Sequence, residues 1–166
     1  MKKLFLILLA VLCCAGLSAQ KAKFGHVDYA SIMPLMPGID TAKTALAALQ
    51  AELEEEGALM SQELQQKEAD YMKLANSGAS AAVLKVKEDE FNKLYERFQT
   101  FVSDGERRLQ EKQLELLKPF QENIMAAIKK VAQAEHYTYV FDISTLAFYG
   151  ESTDLTAAVK KELGIQ

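Results

Sequence analysis

The chain is 166 residues long, 25% charged and 49% hydrophobic, with no Trp, a one-domain length that is too apolar for wholesale disorder and too polar for a multi-pass membrane protein. Nineteen basic residues against 23 acidic ones give a formal charge of −4, so the totals lend no support to a dominant basic surface for nucleic acid. Three Pro and eight Gly leave little room for an all-β, turn-rich fold.

The first stretch reads as an export signal. Met1-Lys2-Lys3 is a cationic start, Leu4 to Leu12 is an apolar run, and Gly16-Leu17-Ser18-Ala19 supplies small residues before Gln20. The run is shorter than the roughly 20 residues of a spanning helix. Cleavage is expected near Ala19, giving a signal peptide at 1–19 and a mature domain at 20–166. Cys13 and Cys14 both fall inside the leader, and neither is preceded by the small residue that lipidation needs. The mature chain is then free of cysteine in an oxidising compartment, which excludes disulfides and thiol chemistry. Losing Lys2 and Lys3 leaves 17 basic against 23 acidic residues, a charge of −6.

Lys23 to Tyr29 suits a strand; an apolar turn from Ala30 to Met36 follows, and Pro37-Gly38 breaks it. Asp40 or Thr41 is expected to cap a long helix. Its stripe, Ala42, Leu46, Leu49, Leu53, Gly57, Met60, Leu64, Lys67, Tyr71 and Leu74, advances by fours and threes with a mean step of about 3.56, between a heptad seam and a straight helix. Asn76-Ser77-Gly78-Ala79-Ser80 interrupts the pattern, which resumes at Val83. A second stripe runs through Phe91, Leu94, Phe98, Phe101, Gly105, Leu109, Leu116, Phe120, Ile124, Ile128 and Val131. Two long helices joined by a short polar loop make an antiparallel hairpin. At 1.5 Å per residue they would span roughly 50 and roughly 80 Å, against a radius of gyration of about 15 Å for a compact chain of this length, so the arm is expected to protrude. Pro119 should kink the second helix near its root.

Beyond His136 the period changes. Tyr137 to Ile143 and Leu146 to Tyr149 read as two strands of a hairpin, and Ser152-Thr153-Asp154 as the cap of a last helix, Leu155 to Leu163, stopped by Gly164. The fold class is therefore α+β, mainly α: a long helical arm, residues 42–135, on a small β-rich body formed by 20–41 and 136–166. The body's strand residues Phe24, Val27, Tyr139, Val140, Phe141 and Ile143 are expected to drive oligomerisation, because so thin a sheet leaves its edges unpaired.

Chemistry is scarce. His26 and His136, with Asp28 and Asp142, lack metal-ligand spacing and are expected to be partly exposed polar residues. No phosphate loop, nucleophile elbow or reactive cysteine occurs, so neither catalytic residues, metal nor cofactor are expected, and an enzyme built on the two histidines is the least favoured reading. Phe91, Phe98 and Phe101 with Tyr71 and Tyr95 are expected to pack the hairpin seam, but a two-helix arm buries only one face of each helix, so some of them, with Met60, Met72 and Leu74 towards the tip, are also expected to face an open surface and touch nonpolar clients.

The ordered set Phe24-Gly25-His26-Val27-Asp28, the turn ending at Pro37, the charged hairpin, Leu117-Lys118-Pro119-Phe120, Ile128-Lys129-Lys130-Val131-Ala132, Tyr139-Val140-Phe141-Asp142 and Asp154-Leu155-Thr156 before Val159 resembles the Skp/OmpH-like periplasmic chaperones over nearly all of the mature chain. That resemblance implies a periplasmic homotrimer whose arms enclose a cavity and hold unfolded outer-membrane β-barrel proteins without ATP. Well-studied members are strongly basic; at −6 this chain departs from them, which argues against lipopolysaccharide binding and long-range steering of anionic clients. The alternative is an envelope adaptor whose coiled arms bind one defined partner.

Overall fold

The computed structural model describes residues 22–165. The leader, with Cys13, Cys14 and the expected cut at Ala19, lies outside the described residues. Two compact units are present among the described residues, one formed by residues 22–32 together with 124–165, the other by Met33–Asn123.

The first unit is built on strand β1 (Phe24–Val27), which lies between β2 (Tyr139–Asp142) and β3 (Thr153–Asp154), both parallel to it. The register pairs Phe24 with Tyr139, Gly25 with Val140, His26 with Phe141 and Val27 with Asp142. On the other side Gly25 meets Thr153 and His26 meets Asp154. Strand alternation puts Phe24, His26, Tyr139 and Phe141 on one face and Gly25, Val27 and Val140 on the other. Below that second face, Val27, Ile32, Ile124, Ala127, Val131, Leu155, Val159 and Ile165 form the buried core. Ile124, Ala127 and Val131 recur at helical spacing, so a single stripe of their helix serves this core. Gly25 is required by close approach: a Cβ there would lie 2.8 Å from Leu155 Cδ1 and 3.1 Å from the Tyr137 ring.

Four sequence expectations are corrected in this unit. The first strand ends at Val27 rather than Tyr29, because the Asp28 carboxylate accepts from Ser31 N at 3.0 Å and starts the short helix α1 (Tyr29–Ile32). The hairpin of 137–143 with 146–149 does not form. Asp142 instead accepts from Ser144 N at 3.0 Å and turns the chain through a 3-10 segment, Ile143–Thr145. Leu146 to Tyr149 is not a strand; the third strand is Thr153–Asp154, where Leu155 N donates to His26 O at 2.8 Å. The last helix, which begins at Thr156 rather than Leu155, takes Asp154 as its N-terminal acceptor, from Thr156 N at 2.8 Å. It ends at Glu162, one residue before the expected Leu163, and Gly164 stops it as expected, its φ of 69° letting Gly164 N and Ile165 N reach back to Lys161 O and Lys160 O.

In the second unit a 3-10 segment (Met33–Leu35) and Pro37-Gly38 lead into α2 (Ile39–Asn76). Asp40 and Thr41 are not its cap. They lie inside the helix, and the N-cap position is Gly38, whose carbonyl accepts from Ala42 N and which has no side chain to cap the first turn. Asp40 still serves the first turn, where a carboxylate complements the helix dipole. Ser77 to Ser80 connects to α3 (Ala81–Ala134), which runs unbroken through Pro119 and whose residues from Ile124 belong to the first unit.

Partner numbers fall along α3 as they rise along α2. Gly38 lies beside Phe120, a Cβ on Gly105 would sit 3.6 Å from Leu53, one on Gly57 would sit 3.4 Å from Phe101, and Lys67 is 3.5 Å from Glu90. Every residue of both predicted stripes is buried or half-buried, with Ala42, Leu53, Leu94 and Gly105 among the buried ones. Lys67, the polar flaw in the first stripe, stays there because Glu90 neutralises it across the seam; the Glu90 carboxyl is held below its ordinary value by its hydrogen bond from Lys87, with Lys67 adding to the effect.

Candidate functional site

The candidate surface lies along α2 and α3 of the second unit. Met60, Tyr71, Leu74, Phe91, Phe98 and Phe101 are half-buried in the seam, whereas Met72 (55% exposed) and Tyr95 (46%) face solvent. The seam and surface roles proposed for this set are thus divided by position rather than shared by every residue. Phe91 and Tyr95 stack at 6.2 Å with nearly parallel rings, which extends the seam outward.

Three hollows mark this unit. Met60 and Phe101 floor an open groove of about 790 Å³ bordered by Lys93, Arg97, Arg107 and Arg108 together with Glu56, Glu96 and Asp104. Tyr71, Met72 and Phe91 line a second hollow of about 300 Å³ between Glu68 and Glu88. A third, of about 260 Å³, is walled by Met33, Pro34, Ile39, Leu46, Leu116 and Leu117. Sequence reasoning missed that third hollow, although Leu46 and Leu116 stood in the predicted stripes. It also missed exposed Leu59, Val86, Val102 and Leu114, which fall outside the stripes and carry no periodic signal. Together the arrangement is a string of shallow apolar patches separated by charges; among the described residues no helix is long and apolar enough to cross a membrane.

In the first unit the expected oligomerisation residues divide. Val27 is spent on its own chain's core at 2% exposure, and Val140 and Ile143 are half-buried. Phe24, Tyr139 and Phe141 are exposed and stacked in a ladder with centroid spacings of 5.9 and 6.0 Å.

His26 corrects another expectation, being 5% exposed rather than partly exposed. Its Nδ1 is hydrogen-bonded to Ser152 Oγ, and Tyr149 tilts over the ring at 4.8 Å. His136 is exposed, at a left-handed turn with φ 60°. Asp154, facing His26 across the register, has its carboxyl lowered by its bonds from Thr156, with a smaller contribution from His26. No group of three or more His, Cys, Asp or Glu able to hold a metal occurs among the described residues.

The described residues thus hold a thin three-stranded parallel sheet in one unit and two very long, seam-matched helices with patchy apolar surfaces in the other. The family model described as outer membrane protein (OmpH-like) matches residues 23–163. The chain belongs to the OmpH-like family. No curated protein matches it. Among solved structures it is similar to a candidate outer membrane chaperone (OmpH-like) from Caulobacter crescentus CB15, at TM-score 0.67 and 11% identity, over 86% of this chain and 83% of that one, a likeness of fold.

Proposed function

We propose that this protein is an ATP-independent periplasmic holdase. Copies assemble as a homotrimer through the body, exposing Phe24, Tyr139 and Phe141 to one another, and the helical hairpins enclose a cavity in which an unfolded outer-membrane β-barrel protein is kept from aggregating. Removal of a signal peptide near Ala19 completes the reading. Membership of the OmpH-like family supports the chaperone role. The observation that carries the mechanism is the set of exposed apolar side chains distributed along both helices off the seam, including Leu59 at 61%, Val86 at 56% and Leu114 at 62%. Full burial of such a side chain contributes about 1.5–3 kcal/mol, and partial contact contributes less, so many weak and dispersed contacts hold a client while letting it go. Charged residues between the patches keep the arm soluble in the absence of a client.

Exported protein is expected to suppress aggregation of a urea-denatured outer-membrane β-barrel protein at about one assembly per client, since it binds the unfolded state and not the folded one. Failure at every ratio overturns the reading. Capture of one folded envelope protein, with no enrichment of unfolded barrels, would replace it with the adaptor.

A further inference from the structure

The two helices of the second unit differ in charge. Between Ile39 and Asn76, α2 carries three basic and eight acidic residues, whereas α3 carries ten basic and nine acidic. Much of the positive charge at the groove over Met60 and Phe101 is already taken: Arg107 pairs with Asp104 and Glu111, and Arg108 with Glu52. Lys93 and Arg97, one turn apart on its α3 rim, enter no ion pair among the described residues, although Glu56 and Glu96 also border the groove. On α2, Glu55, Leu59 and Glu63 follow one another at single-turn spacing. Leu59 is 61% exposed, and both carboxylates are exposed and free of ion pairs among the described residues. This acid-apolar-acid stripe is the counterpart of two free cations beside an apolar floor of Met60 and Phe101.

Height decides whether the two can meet. The pairs Gly57 with Phe101 and Leu53 with Gly105 are centred on residue 79, so α3 residues 93–104 lie level with α2 residues 54–65. The stripe and the groove therefore occupy the same turns of the arm. In a cyclic assembly with arms along the symmetry axis, rotation leaves height unchanged, and a head-to-tail contact closes into a ring. We propose that the Glu55–Leu59–Glu63 stripe of one copy seats against Lys93 and Arg97 of the next, forming a salt-sensitive clasp between neighbouring arms. This inference rests on the trimeric holdase reading and adds to it a control over cavity opening: the contacts are exposed, individually weak and screened by salt, so the arms part readily when a client competes for them.

The test uses exported full-length protein with a spin label on Ser77→Cys at the exposed loop between α2 and α3, reading label-to-label distances between copies beside the mass in solution. The distance distribution is expected to be narrow at about 0.05 M salt and to widen at about 1 M, where the screening length falls to about 3 Å. Lys93→Glu with Arg97→Glu should widen it at low salt, as should Glu55→Lys with Glu63→Lys. The fourfold swap should restore the narrow distribution. Circular dichroism confirms that each variant is folded. An intact assembly whose tip distances ignore salt and both double variants overturns the clasp alone, as does a fourfold swap no narrower than its parents. A monomeric mass overturns the trimer reading and the clasp with it. Loss of client holding in the Lys93/Arg97 variant without any change in tip distance assigns the groove to clients instead, and also overturns the clasp.

Discussion

The two units solve the burial problem in different ways. In the first, a few residues are buried completely, among them Ile32, Ile124, Leu155 and Val159 at 2% exposure or less, and the strands contribute only four, four and two residues. In the second, Met36, Ile39, Ala42, Leu53 and Leu94 are buried at 4–8% exposure, but most of the burial is partial and spread along two stripes. Stability should accordingly be concentrated in the first unit, and client contact distributed in the second.

The sharpest way to break that comparison is truncation. Ile124→Ala should cost about 2–5 kcal/mol in urea unfolding, because a fully enclosed side chain leaves a cavity, whereas Leu59→Ala should change stability by no more than about 0.5 kcal/mol. Equal losses would mean that the arm, too, depends on single residues. Next come the glycines. Gly25→Ala should destabilise by about 1–3 kcal/mol, since the new methyl meets Leu155 and Tyr137 inside van der Waals contact. Gly105→Ala should stabilise by about 0.5–1 kcal/mol, since its methyl would find ordinary contact with Leu53 and alanine is the better helix former. Chemical denaturation of both reads out the opposite signs.

A functional contrast is smaller in energy. Met72→Ser combined with Leu114→Ser should weaken client holding several-fold in the aggregation assay with an unchanged unfolding midpoint; unchanged holding would remove the exposed patches from the mechanism. The smallest effect concerns pH. Asp154 has a folded carboxyl below its ordinary value of 3.8, so the unfolded state takes up its proton first as acid is added. Its contribution is complete above that value and disappears as pH falls through the folded one. Asp154→Asn should flatten the stability profile in that acid window alone, and an identical profile in both proteins would show that the Thr156 bonds contribute nothing.

The arm was legible because its code is local. Successive apolar residues at helical spacing define each stripe, and even Lys67 found its explanation in one residue on the opposite helix. The sheet was not legible, because its pairing is decided by residues far apart in sequence. Tyr139 to Asp142 was recognised as a strand, but its partner is Phe24 to Val27 and not the apolar run Leu146 to Tyr149. That run has strand-like composition, yet Asp142 caps a 3-10 turn before it and β1 takes Thr153 and Asp154 instead. A two-residue strand carries no periodicity to detect. Burial of His26 escaped notice for the same reason: Tyr149 and Ser152, which cover it, are brought there by a loop. Among the client candidates, residue type was informative and orientation was not, so Met72 and Tyr95 lie outside the seam while Phe98 lies within it.

The parallel register between β1 and β2 also governs the order in which the molecule acquires its structure. Lys23 and Thr138, bonded at the head of the sheet, are separated by 115 positions, and everything between them must be gathered before the pair can close. Closing a loop of that length costs entropy that a helical turn never meets. Pulse-labelled amide exchange should therefore show the helices guarded early and Phe24 to Val27 guarded late. Phe24 to Val27, made early in synthesis, is thus among the last segments to find its place, and it waits for nearly the whole polypeptide to arrive.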